Sequence, residues 1–296
     1  MKALPFLLLV AVFPVLACAA GTPAPQALDP EWTAHQAPFQ VYGNTYYVGT
    51  RGLSSILITS SAGHVLIDGT LAEGAAQVAD NIRALGFKMH DIRLILNTHA
   101  HFDHAGGIAA LQKASGAEVA ASPWSAQVLM QGRLAAQDPQ YLSLSRAPDR
   151  VEHVRVIRDG EELRVAALRV RAHFTPGHTP GGTSWTWESC ARQRCLHMVY
   201  ADSLNAISAP EFKFSHSTTY PQVLDDFRKS FAVLGALPCD ILLSAHPDGS
   251  GMYERLARRD SGADPDAFIN ANACRTYVDS ARSFLEQRIA SEARSP

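Results

Sequence analysis

Residues 97–107 read NTHAHFDHAGG and place His99, His101, Asp103 and His104 within six positions. Only twelve histidines occur among 296 residues, a concentration that a merely solvated loop does not need. Imidazole and carboxylate are the ligands that zinc takes when no thiolate is offered. His99 and His101, two apart, can face one way from an extended or turning backbone, with Asp103 and His104 on the next turn. One loop cannot close a metal site alone. Two further histidines share the same context, a β-run ending among Gly or Pro turn residues: His178 in AHFTPGHTPGG and His246 in ILLSAHPDGSG. Six such donors make two sites, one of three histidines and one Asp-His-His, each with a position left for water. His173 lies inside its strand and reads as a structural histidine. His35, His64, His90, His153, His197 and His216 read as surface or packing residues.

These donors need a scaffold that delivers strand ends to one place. The apolar run LIL stops at Asn97 and the polar cluster follows at once, where a strand ends and a helix begins; α/β sheets place ligands there. Gly106 and Gly107 are expected to turn the backbone tightly behind the cluster. Upstream, YYVGTRGLSSILITSSAGHVLIDGT alternates β-formers with turn residues and predicts two or three antiparallel strands. The spacing of Ala76, Val78, Ile82 and Leu85 predicts a helix, IRLILN a strand, GGIAALQKASG a helix and AEVAAS a strand. PWSAQVLMQG opens on a helix-compatible proline and closes on glycine. Residues 131–150 are polar and weakly periodic, a long loop or loosely helical insertion of the kind usually kept for function. A second strand-rich half follows, with helices predicted over YPQVLDDFRKSFAVLGAL and over the whole of ADPDAFINANACRTYVDSARSFLEQRIA, and a buried strand at CDILLSA. Two mixed α/β halves predict two sheets packed face to face with helices outside, a four-layer αββα sandwich.

The chain is 47% hydrophobic and 18% charged with a formal net charge of −2, so it should bury a real core and carries no global basic field for nucleic acid. A small-molecule partner and a monomeric chain are expected. MKALPFLLLVAVFPVLACAA has the layout of a cleaved secretory signal ending near Ala19, followed by one domain over 20–296; lipidation at Cys18 is the alternative. Export makes the other four cysteines readable as two disulfides, among three possible pairings. Cys190 and Cys195 flank a short loop between β-rich runs and pair naturally as a closed hairpin. Cys239 with Cys274 follows by elimination.

HxHxDH at 99–104, His178 after a Pro-Gly turn and His246 after an apolar strand resemble the metallo-β-lactamase superfamily, over nearly the whole mature chain. The three opening histidines, Ser203 in YADSLNAIS and the leader resemble the third subclass of class B β-lactamases, and the paired cysteines fit it. The resemblance implies His99, His101 and His178 on a first zinc and Asp103, His104 and His246 on a second. It implies supporting roles for Asp68 in LIDG beneath the metal loop and for Asp202, although a similarly placed aspartate bridges the metals in thioester and phosphoester hydrolases of the superfamily. Ser203 and Asn205 fall where the subclass meets the substrate carboxylate, with Asn205 departing from the serine often found there. The activity implied is opening of a β-lactam amide by metal-activated water, with Asp103 holding the second zinc and orienting that water. An exported lactonase or another ester or thioester hydrolase is the alternative, and a non-catalytic zinc-binding protein is a third class. Pocket walls are expected from 20–40 and 131–150.

Overall fold

A computed structural model describes residues 28–294; the signal reading of 1–19 and the Cys18 alternative lie outside the described residues. Seven strands follow one another in chain order across the first sheet: β1 (Phe39–Tyr42), β2 (Thr45–Tyr47), β3 (Ile56–Ile58), β4 (His64–Ile67), β5 (Ile92–Leu96), β6 (Glu118–Ala121) and β7 (Val154–Val156). β1 to β4 pair antiparallel through short turns, whereas β4 to β7 pair parallel. Parallel neighbours need crossovers, which helices usually supply. These are α1 (Ala75–Ala84), α2 (Phe102–Ala105) with α3 (Ile108–Ser115), and α4 (Pro123–Gln131). Ser122 caps α4 by accepting from Ser125 N, with Pro123 at the first helical position and Gly132 closing the helix in the left-handed region.

The second sheet runs β8 (Glu162–Val165), β9 (Leu168–Phe174), β10 (Thr183–Ala191), β11 (Arg194–Ala201) and β12 (Ile241–Ser244). Its first four strands are antiparallel, and β12 joins β11 in parallel after the crossover α5 (Val223–Ala236). Two more helices follow, α6 (Met252–Asp260) and α7 (Ala273–Glu292).

Alternation along the strands explains the layering. Ile67 and Leu96 point between the sheets to meet Trp185, Tyr200 and Leu243, whereas Leu66 and Ile95 point the other way onto α1 and α3. Val199 and Leu242 likewise face Phe227, Phe231, Val278 and Leu285 of α5 and α7. Helix, sheet, sheet and helix therefore stack as the expected αββα sandwich. Both expected disulfides are present: Cys190–Cys195 sits at a paired position of the β10–β11 hairpin, and Cys239–Cys274 ties the start of β12 to α7.

The helices depart from expectation in two places. The terminal helix begins at Ala273, not near Ala263, because the intervening residues serve tertiary contacts that a helix forbids. Phe268 is buried between the sheets, Asn270 N donates to the Asp240 carbonyl at 2.8 Å, and Arg255 donates to the carbonyl of Phe268. α6 has no counterpart in the expectations; its Met252, Tyr253 and Leu256 pack on the core from one face, while Glu254, Ala257 and Arg258 are exposed. No helix among the described residues is long and apolar enough to cross a membrane.

Candidate metal centre

β4, β5, β9, β11 and β12 all deliver their C-terminal ends to one edge of the sandwich, through the pairings described above. Asp68 follows β4, the 97–104 stretch follows β5, His178 follows β9, Asp202 follows β11 and His246 follows β12. Thr183 N donates to the Thr98 carbonyl at 2.8 Å and joins the two sheets beside the cluster. Gly177 precedes His178 at φ +141°, and a Cβ there would lie 2.7 Å from the Phe227 ring, so only glycine fits. Gly106 and Gly107 serve a purpose other than the tight turn expected of them. Their φ values of −57° and −83° are ordinary for a helix. What they allow is close approach: a Cβ on Gly107 would stand 2.2 Å from the Gly69 carbonyl oxygen.

Two donor groups assemble, His99 with His101 and His178, and Asp103 with His104 and His246. In the second group the Asp103 carboxylate Oδ2 lies 3.0 Å from His104 Nε2 and 3.4 Å from His246 Nε2, and the two nitrogens are 3.2 Å apart. A tetrahedral ion with bonds of about 2.0–2.1 Å spaces its ligands at roughly 3.3 Å, so these atoms suit one. In the first group each ring commits one nitrogen to a protein acceptor. His99 Nδ1 bonds Asp202 Oδ1 at 2.7 Å, His101 Nε2 bonds Asp138 Oδ2 at 2.8 Å, and His178 Nδ1 bonds the Asn205 carbonyl at 2.8 Å. Such acceptors fix the tautomer and aim the other nitrogen. His99 Nε2 is buried with no partner, a costly state unless the atom has a metal to ligate. The His99 and His104 ring centres are 4.4 Å apart, which makes the two groups one dinuclear metal site.

Electrostatics agrees with ligation. Burial first, and the neighbouring His101 next, lower His178 to about 3, so its ring is neutral. Burial also pushes His99 well down and Asp202 well up, the latter helped by Asp68. Burial would raise Asp103, but His104 and His246 beside it hold its carboxyl well below the usual range. Asp68 is raised by burial to about 6 and accepts from Thr98 N at 2.8 Å, Thr98 Oγ1 at 2.7 Å and Tyr200 Oη at 3.1 Å. It braces the backbone under the metal loop without joining either donor group. Asp202 likewise stays outside both, acting on His99.

Ser203 and Asn205 line a cleft of about 740 Å³ together with His246, whose side chain is 38% exposed. Trp32 stands 5.7 Å from the His246 ring and 6.2 Å from Phe102, and Gln140 Nε2 lies 3.4 Å from His178 Nε2. Walls from the N-terminal segment and from 131–150 are therefore present at the site; residues 20–27 of the expected wall lie outside the described residues. His173 bonds Thr186 Oγ1 at 2.9 Å, away from the centre. Sequence reasoning missed Asp138 altogether, because one acid in a polar segment carries no periodic or motif signal.

A family model described as the metallo-beta-lactamase superfamily matches residues 48–190. The solved structure of Rm3 metallo-beta-lactamase is 53% identical with a TM-score of 0.86, the match covering 89% of this chain and 97% of that one. MEM-A1, a subclass B3 metallo-beta-lactamase isolated from a soil metagenome library, is 48% identical with a TM-score of 0.86, covering 90% of this chain and 100% of that one. The lactamase-like protein vrtG of Penicillium aethiopicum is 30% identical over 208 residues, 69% of this chain and 50% of its own length. The chain spans about half the length of the curated relatives it matches.

Proposed function

The chain belongs to the metallo-beta-lactamase superfamily, and from that premise we propose that it hydrolyses the β-lactam amide bond with two zinc ions. The observation that carries this reading is the pair of adjoining donor groups, one of three histidines and one of Asp-His-His, that the strand ends bring together. His99, His101 and His178 would hold one ion, and Asp103, His104 and His246 the other. When bound, the ions would lower the pKa of water to about 7 and polarise the carbonyl under attack.

The chain's own groups supply the rest. Ionised Asp103 is an acceptor for the proton of the attacking water as well as a ligand, and so orients it. Asp202, Asp138 and the Asn205 carbonyl keep three imidazoles aimed without reorganisation. The Ser203 hydroxyl and the Asn205 amide offer hydrogen bonds to the carboxylate that β-lactams carry beside the ring nitrogen. Trp32 and Phe102 give the rim an apolar wall. No protein nucleophile is required, and none is invoked.

The leader-like residues 1–19 and the two disulfides support an exported, periplasmic enzyme. Resistance to β-lactam antibiotics is the consequence on this reading. Side-by-side assay of a cephalosporin and a homoserine lactone, with and without chelator, tests it. Chelator-sensitive opening of the cephalosporin is expected to predominate; turnover of the lactone alone would replace the β-lactam reading with a lactonase.

A further inference from the structure

Asp138 is an unusual residue to find in a segment without regular secondary structure. Its carboxylate is only 1% exposed, and its two oxygens face different parts of the molecule. Oδ2 accepts from His101 Nε2 at 2.8 Å, while Oδ1 accepts from the backbone N of Gln140 at 2.8 Å. One oxygen therefore serves a histidine of the metal centre, and the other folds the local chain.

The surrounding bonds extend this link. Tyr141 N donates to the Asp138 carbonyl, and Ala209 N donates to the Pro139 carbonyl at 2.9 Å, joining 131–150 to the segment whose Asn205 carbonyl holds His178. Two histidines of one donor group are thus each held by a loop, and the loops are bonded to each other. His99 differs, since its acceptor Asp202 directly follows strand β11.

We propose that Asp138 is a positioning residue that fixes His101 in the tautomer leaving Nδ1 for the metal, and that the same carboxylate couples metal occupancy to the ordering of residues 131–150. This rests on the reading that His99, His101 and His178 hold a metal. Coupling of this kind is reciprocal: if an ordered loop favours the metal, the metal must order the loop by the same factor.

Asp138→Asn is the diagnostic change because it keeps the shape and removes one acceptor. An amide has a single acceptor oxygen. If it serves His101, the amide NH2 faces the Gln140 N–H; if it serves Gln140, the NH2 drives a proton onto His101 Nδ1. The purified full chain is compared with D138N and with D149N, an exposed acid of the same segment, by zinc competition against a chromophoric chelator and by hydrogen exchange over 131–150 with and without zinc. The expected result is that D138N binds one of two equivalents about 10- to 100-fold more weakly, the scale usual for residues that support a ligand. Its 131–150 amides should exchange fast regardless of zinc, whereas the parent and D149N protect them only with zinc bound. Matching circular dichroism establishes that D138N folds; should it not, exchange in the parent chain still decides, because protection indifferent to zinc overturns the coupling. Unchanged affinity for both equivalents in D138N overturns the positioning role while leaving the dinuclear reading intact. Failure of the parent to bind zinc overturns both.

Discussion

On the proposed reading Ser203 and Asn205 would meet the carboxylate of a β-lactam, a group that an uncharged lactone lacks. Replacing both with alanine should raise KM for penicillins and cephalosporins with little change in kcat, since binding shared by ground and transition states is removed. A loss on the order of 1–3 kcal/mol is the scale for hydrogen bonds to a charged group. Metal content should not change: His178 is held by the Asn205 backbone carbonyl, which alanine retains. Steady-state kinetics on several β-lactams checks this, and an unaltered KM would remove both residues from substrate binding. The same contact shows where sequence reading stops. Clustered histidines are legible because their types and strand-end context repeat at 99–104, 178 and 246. A main-chain acceptor has no letter of its own, and Asp138 looks like any loop acid until the fold buries it against His101.

At the scale of elements, the two disulfides close loops of different length, with sequence separations of 35 for Cys239–Cys274 and 5 for Cys190–Cys195. Loop entropy then makes the long bridge worth roughly 3–4 kcal/mol and the short one less. Urea unfolding of C239S/C274S beside C190S/C195S should show the larger loss in the first pair, and the reverse order would contradict this. α7 is anchored at its other end by Glu292, which accepts from Phe214 N at 3.0 Å, Ser215 N at 2.9 Å, Ser215 Oγ at 2.7 Å and Arg288 Nε at 2.9 Å. Burial would raise this carboxyl, but those donors hold it below its ordinary value. A lowered folded pKa means stabilisation that is complete above the unfolded value of about 4.3 and is lost as pH falls through the folded one. Glu292→Gln should therefore cost about 1.5–3 kcal/mol at neutral pH, narrowing on acidification. An equal deficit at pH 7 and pH 3 in unfolding titrations would show that ionisation is not the cause. The helices legible in sequence were those with a sustained apolar stripe. α6 is as long as α4, but in MYERLARRD the charged letters outnumber the apolar ones, and residues 263–272 look helical only because the sequence hides that Phe268 is drawn between the sheets.

For the whole molecule, the αββα layering was readable because strands with apolar faces on both sides demand cover on both sides, and the pattern of β4, β5 and β12 shows this. What no local pattern contains is the convergence of five strand ends from two sheets on one edge, which turns separated histidines into two donor groups. Function depends on that convergence, so the central claim is that catalysis requires both groups to be filled. The direct measurement strips the purified chain with chelator, titrates zinc back and follows cephalosporin hydrolysis against bound metal. The account predicts no turnover in the stripped protein and recovery that levels off at two zinc ions per chain; full hydrolysis by protein shown to be metal-free would contradict it.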